Sequence, residues 1–149
     1  MRRSDRERGR EFAIDVITRC DYGTLATVNP DGAPYCIPIS PAILNGNIYF
    51  HCAPEGHKLD NINRNNSICL SCAADVRVVP EKLTVSYSSA VVFGKCYAAD
   101  DRDERFEALQ AITEKYAPGA DFGKTVKPDF DVPAIYRISI DQITGKYHE

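Results

Sequence analysis

The chain of 149 residues is predicted to be mainly β, an antiparallel sheet closed as a small barrel with helices packed outside it. Three observations predict this class. Apolar runs of strand length recur along most of the chain. The links between them are largely hairpin signals, Asn29-Pro30-Asp31-Gly32 and Asn45-Gly46-Asn47 among them. Helical periodicity does not alternate with the strands as a doubly wound sheet requires, and no Gly-x-Gly-x-x-Gly is present.

Residues 4–20 begin polar and then place Phe12, Ala13, Val16, Ile17 and Cys20 on one helical face, with Ser4 and Glu7 spaced as a capping box. Residues 23–28 form a short strand. It ends in a turn where Pro30 fixes φ and Gly32 takes a positive φ. The run 33–43 is strand-like but holds Pro34, Pro38 and Pro41. Prolines inside a central strand would break its ladder, so this strand is bulged or has a free edge. Asn45-Gly46-Asn47 then turns the chain into a strand over 48–52.

Pro54 and Gly56 break that strand, and Leu59 and Ile62 return at helical spacing, giving a short helix from His57 to about Asn65. Residues 67–74 are the next strand, and 76–82 have no clean period and read as a loop. From Leu83 to Tyr97 the run exceeds a typical strand, which implies a bend, with Gly94 the candidate bulge. Asp100-Asp101 cap a further helix with Phe106, Leu109, Ile112 and Tyr116 on its apolar face, and Pro118-Gly119 stop it. Residues 119–131 read as a loop that crosses a partner or covers a site. A strand over 134–140 and the segment 143–147 close the chain.

The totals limit the function classes. The length suits one domain, 1–149, with a real core. A formal net charge of −3 without a basic stripe leaves no footprint for nucleic acid or an anionic membrane. The first ten residues mix charges with no apolar run after them, unlike a secretory signal, and no apolar run approaches membrane-spanning length. A soluble, cytoplasmic protein is expected. Its six cysteines are then expected to be reduced, buried thiols. Cys69 and Cys72 match C-x-x-C, but on a strand residues three apart face opposite sides and cannot close on one metal. No metal site is expected.

Three segments carry candidate chemistry. His57 and Lys58 fall in the first turn of a helix, where a cation opposes the macrodipole unless an anion shares the site. A Lys pointing into water is the alternative. His51 lies just before, at a strand end. In Tyr35-Cys36-Ile37-Pro38-Ile39-Ser40 the prolines would leave backbone groups available to a flat ligand. Tyr87-Ser88-Ser89 offers two hydroxyls as further donors. No Ser has an Asp/His pair spaced to activate it, and no carboxylate pair shares a predicted pocket, so hydrolysis is not indicated. An anion cradle without a protein nucleophile suits a phosphorylated cofactor that carries the chemistry itself.

The runs 20–27, 31–40 and above all 48–62, with its Phe-His-x-Ala-x-x-Gly-His-Lys-x-x-Asn pattern, resemble the nitroimidazole-resistance (nitroimidazole reductase) proteins. These are FMN-binding split barrels related to pyridoxamine 5′-phosphate oxidase. The resemblance covers nearly the whole chain and implies a six-stranded antiparallel split β-barrel with flanking helices. It also implies a homodimer with FMN at the interface. By position, Lys58 and His57 would hold the FMN phosphate, with His51, Cys52 and Ala53 lining the phosphate and ribityl chain. Ile37, Pro38, Ile39 and Ser40 would present backbone to the isoalloxazine edge, and Ser88 and Ser89 would add polar contacts. In that family the His matching His57 also stands next to flavin and drug, so His57 is the candidate catalytic residue. The expected activity is an FMN-dependent reductase, taking electrons from NAD(P)H or a partner and passing them to a small aromatic or nitro substrate. The alternative is a flavin- or haem-binding carrier or sensor of the same fold, with His57 or His51 as axial ligand.

Overall fold

The structure, a computed structural model, describes residues 4–121 and 133–149. The loop expected over 119–131 therefore lies almost wholly outside the described residues. After a 3-10 turn at Ser4–Arg6 come β1 (Glu7–Arg8), α1 (Arg10–Arg19), β2 (Gly23–Val28), β3 (Pro34–Ile39), β4 (Ala42–Leu44) and β5 (Asn47–Cys52). Then follow α2 (His57–Arg64), β6 (Ser67–Val79), a 3-10 turn at Pro80–Lys82, β7 (Thr84–Ala98), α3 (Arg102–Tyr116) and β8 (Ala134–His148). All strand pairs are antiparallel. The sheet runs β3-β2-β6-β7-β8-β5-β4, with β1 added alongside β8. Six strands of six residues or more make the split barrel, and β1 and β4 are short additions of two and three residues.

Local chemistry explains most of these elements. β3 lies at the end of the strand order, so Pro34 and Pro38 sit on a strand whose outer edge has no ladder to break. Asn45 and Gly46 both take positive φ (49° and 77°), the geometry that a two-residue hairpin turn needs. Gly32 has φ 86° and its N–H bonds Asn29 O at 2.9 Å. Asp101 caps α3, its carboxylate accepting from the N–H groups of Asp103 and Glu104. The register between β7 and β8 shifts between Phe93 and Gly94, at the bulge that the sequence suggests.

Four expectations are corrected. Ser4 and Glu7 form no capping box: Glu7–Arg8 pairs with Lys146 and Gly145 of β8, and α1 begins after Gly9 without a side-chain cap. The stretch 76–82 is not a plain loop. β6 continues to Val79 across a register shift between Ala74 and Arg77, where Asp75 takes φ 55° and destroys the regular alternation. Residues 134–148 form one strand, because its pairing with β7 continues past the shift. On α3 the buried residues are Ala108 and Ile112, while Phe106 stays 42% exposed.

The main core lies between the inner faces of the strands and the two helices that plug them. Ala13, Val16 and Ile17 of α1 and Leu59 and Ile62 of α2 meet Leu25, Phe50, Leu70, Val92 and Ile138. A smaller cluster joins Ala108 of α3 to Tyr49 and Ile135. Glu104 fixes that helix, accepting from Tyr49 Oη and Arg137 Nη1, each at 2.8 Å. Among the described residues no helix is long and apolar enough to cross a membrane.

Candidate functional site

The most organised polar cluster gathers where the start of α2 meets the β2–β3 hairpin. Gly56 precedes the helix with φ 139° and offers no side-chain cap. Leu59 N and Asp60 N both bond Gly56 O (2.8 and 3.1 Å), which leaves the N–H groups of His57 and Lys58 outside the helical ladder. Lys58 is half-buried. Among the described residues its ammonium has no hydrogen-bond or ion-pair partner. Burial pushes the nearby Cys52 thiol up, and the Lys58 charge opposes that shift. The end of β5 and the first turn of α2 thus share one electrostatic environment.

His57 is held from two sides. Its ring stacks on Tyr35 with centroids 4.1 Å apart and planes at 27°. Its Nε2 lies 2.9 Å from Asn29 Oδ1. That oxygen also accepts from Nδ2 of Asn61 at 2.8 Å, and the same Nδ2 reaches Thr27 Oγ1 at 3.0 Å. An amide oxygen only accepts, so His57 donates through Nε2–H. Nδ1 is left as the ring's other polar atom. Asn61 is 1% exposed, so its own bonds to Thr27 and Asn29 form the buried part of the hairpin-to-helix link, while the His57–Asn29 bond lies at the surface.

The remaining candidates spread along two strand edges. β4 pairs only with residues 47–49 of β5, so Phe50, His51 and Cys52 have a strand partner on the β8 side alone. His51 and Ala53 are exposed and Cys52 is half-buried. On β3, Ile37 packs against the core and Ile39 is buried, while Pro38 faces out. Ser40 follows at the far end of β3 from Tyr35 and sits beside Tyr116. Ser88 and Ser89 do not act together. Ser88 is buried and donates to Asp75 Oδ2 at 3.1 Å, while Ser89 faces the other side of β7, opposite Ala73 and Lys146.

The sequence reading gave no site role to Thr27 or Asn29 and assigned no contact to Tyr35, which opens one candidate segment, or to Asn61, which ends the family-like pattern. That pattern was the signal available for Asn61; helical spacing was not, because Asp60 lies between Leu59 and Ile62 as well and is exposed. Asn29 looked like a turn former, and nothing local pairs it with a residue 28 positions away.

Residues 10–147 match the family model for pyridoxamine 5′-phosphate oxidase. No curated protein matches the chain. Among solved structures, the chain is similar to a candidate 5-nitroimidazole antibiotic resistance protein of Bacteroides thetaiotaomicron, with 25% identity and TM-score 0.79, over 93% of this chain and 83% of that one. The flavocytochrome Anf3 of Azotobacter vinelandii shares the fold at 16% identity and TM-score 0.80, over 100% and 72%. An FAD-binding protein of Mesorhizobium loti does so at 23% and 0.68, over 97% and 98%.

Proposed function

The chain belongs to the pyridoxamine 5′-phosphate oxidase family, and on that premise we propose that it binds a flavin, FMN, and works as a homodimeric reductase of one domain per chain. The observation that carries this reading is the start of α2. Two backbone N–H groups outside the ladder and the ammonium of half-buried Lys58, which has no partner among the described residues, fit a phosphate, a ligand that two N–H dipoles and a cation can share. The fold neighbours that bind FAD, or carry flavin with haem, support a flavin as the ligand class.

When bound, the flavin would supply the electron transfer. The protein's part is to hold and orient it. Lys58 and the first turn of α2 anchor the phosphate, the end of β5 follows the ribityl chain, and the open edge of β3 presents backbone to the ring. His57, fixed by Asn29 and Tyr35, keeps Nδ1 as the ring nitrogen not bonded to Asn29. NAD(P)H or a partner is the proposed electron source and a small aromatic or nitro compound the acceptor. The proposed second chain covers the outer face of β2, β3, β6 and β7, where Thr24, Cys36, Pro38, Ala73 and Phe93 stand exposed.

Titration with FMN should quench flavin fluorescence and raise the melting temperature. Anaerobic NADH or NADPH should then bleach the flavin, and a nitroimidazole should restore its colour. A Soret band in purified protein would favour the haem-binding reading instead. His57 Nε2 is already spent on Asn29, so a haem would have to take His51, use Nδ1 of His57 or displace that bond. A colourless protein indifferent to FMN would reject both.

A further inference from the structure

The polar residues between the β2–β3 hairpin and α2 form a closed circuit of contacts, and its hydrogen bonds run in one direction. The hydroxyl of Thr27, which is 1% exposed, donates to Tyr35 O at 3.4 Å. A backbone carbonyl has no hydrogen to give, so the Thr27 oxygen is left to accept, and Asn61 Nδ2 supplies that bond at 3.0 Å. The same Nδ2 carries a second hydrogen and donates to Asn29 Oδ1 at 2.8 Å. Asn29 therefore turns its oxygen, not its amide nitrogen, towards α2, and His57 Nε2 lies 2.9 Å from that oxygen. The circuit closes where it began, because the His57 ring stacks on the Tyr35 side chain.

This direction decides how His57 handles a proton. With Nε2–H given to Asn29, the neutral ring carries its lone pair on Nδ1. A proton added there gives the imidazolium, with one more positive charge, and leaves the bond to Asn29 intact. The opposite arrangement behaves differently. Were Asn29 to offer its NH2 group, Nε2 would hold the lone pair, and a proton taken up there would meet another N–H. Asn29 would then have to turn against the donor of Asn61, which is 1% exposed behind it. A ring that gains and loses a proton without moving its anchor is pre-organised for proton transfer. His57 itself is exposed. Its charged neighbours along the chain are Lys58 and Asp60 of α2, and the hairpin adds Asp31, whose Oδ1 accepts from Ala33 N at 3.0 Å. Among the described residues no carboxylate is bonded to the ring.

We propose that Asn61 and Asn29 are positioning residues that fix His57 as its Nε2–H tautomer, which makes Nδ1 the atom where His57 exchanges a proton with a bound ligand. Thr27 and the Tyr35 carbonyl set the direction from the buried end. This rests on the reading above, in which His57 is the reacting side chain, and names the atom that reacts. The ligand class it implies is a reducible acceptor that takes up a proton with its electrons. One proton leaves Nδ1 for the ligand, the ring returns to its neutral form, and solvent restores the proton.

Protein labelled with nitrogen-15 is studied as purified, by long-range proton–nitrogen correlation NMR across a pH titration. The chain has three histidines, so His57→Gln assigns the His57 signals by their loss. At the high-pH limit the expected pattern is a protonated Nε2 and a bare Nδ1, at limiting and not averaged shifts. As the pH falls, Nδ1 should move into the protonated range while Nε2 stays. Asn29→Ala should move both nitrogens towards the averaged values of a freely exchanging ring, and Asn29→Asp, which keeps an acceptor, should restore the limiting pattern. A bare Nε2, or averaged shifts, in the wild type would overturn the proposal, and that reading needs no change to the network. In folded Asn61→Ala the shifts should also average, and an unmoved pattern there would remove Asn61 from the relay. The limiting pattern in a protein indifferent to FMN would keep the relay and reject the flavin, so the two readings fail separately.

Discussion

A half-buried ammonium costs free energy unless an anion or enough acceptors surround it, and Lys58 and Lys115 meet that requirement differently. Lys115 uses two carbonyls and a thiol from its own chain. Lys58 has no such set among the described residues, so its proposed partner arrives from solution. Lys58→Ala should weaken FMN binding by about 1.5–3 kcal/mol, the cost of a lost charge-assisted contact, as read by fluorescence titration. An unchanged dissociation constant would put Lys58 in solvent. A second single-residue expectation concerns Tyr49. Burial, with the Glu104 carboxylate behind it, pushes its hydroxyl from 10.0 up to about 12. A group raised in the folded state stabilises fully below its unfolded pKa, so this contribution is present below pH 10 and fades between pH 10 and about 12. Tyr49→Phe should lose less stability than the wild type across that window in alkaline denaturation curves, although Tyr136 is raised as well. Parallel curves would contradict it.

Elements matter here through their ends and edges. α2 presents an uncapped N-terminus, β3 keeps a free edge through its prolines, and β5 outruns β4 by three residues. Each leaves backbone groups without a ladder partner among the described residues. The long β7 survives its own length because Gly94 lets it cross β8 closely. A Cβ at that position would lie 2.0 Å from Ser139 O, a backbone atom that cannot rotate away. Gly94→Ala should therefore destabilise the protein by about 1–3 kcal/mol or more, with a lower urea midpoint. A wild-type midpoint would mean that the bulge relaxes at no cost.

For the whole molecule, the asymmetry between the two sides of the sheet is decisive. The inner side is filled by α1 and α2, whereas on the outer side of β2, β3, β6 and β7 residues such as Thr24, Cys36, Ala73 and Phe93 stand exposed among the described residues. Phe93 is 51% exposed there, and Val76, Val78 and Leu83 project from the β6–β7 arm at 61%, 67% and 95%. These exposed apolar side chains are what the proposed homodimer would cover. Light scattering should report twice the 16.6 kDa chain mass. Phe93→Asp should shift the protein towards the monomer and weaken FMN binding with it. A stable wild-type monomer that binds FMN would reject an interface site.

Much of this protein is written in short-range patterns. Strand alternation, Asn45-Gly46, the Pro30–Gly32 turn, the Asp101 cap and the glycine bulge each depend on a few neighbouring residues, and each appears in the structure. The odd cation at Lys58, next to His57, was visible for the same reason, since it conflicts with the dipole of its own helix. Folding decided what spacing cannot encode. A left-handed Asp75 carried β6 through an apparent loop, and β1 took residues that resembled a cap. The barrel alone placed Asn29 against His57 and Asn61, and Lys115 against Cys20 and Pro41. Those contacts depend on which strands and helices become neighbours, and that is set by register and core packing over tens of residues, not by the chemistry of any one segment.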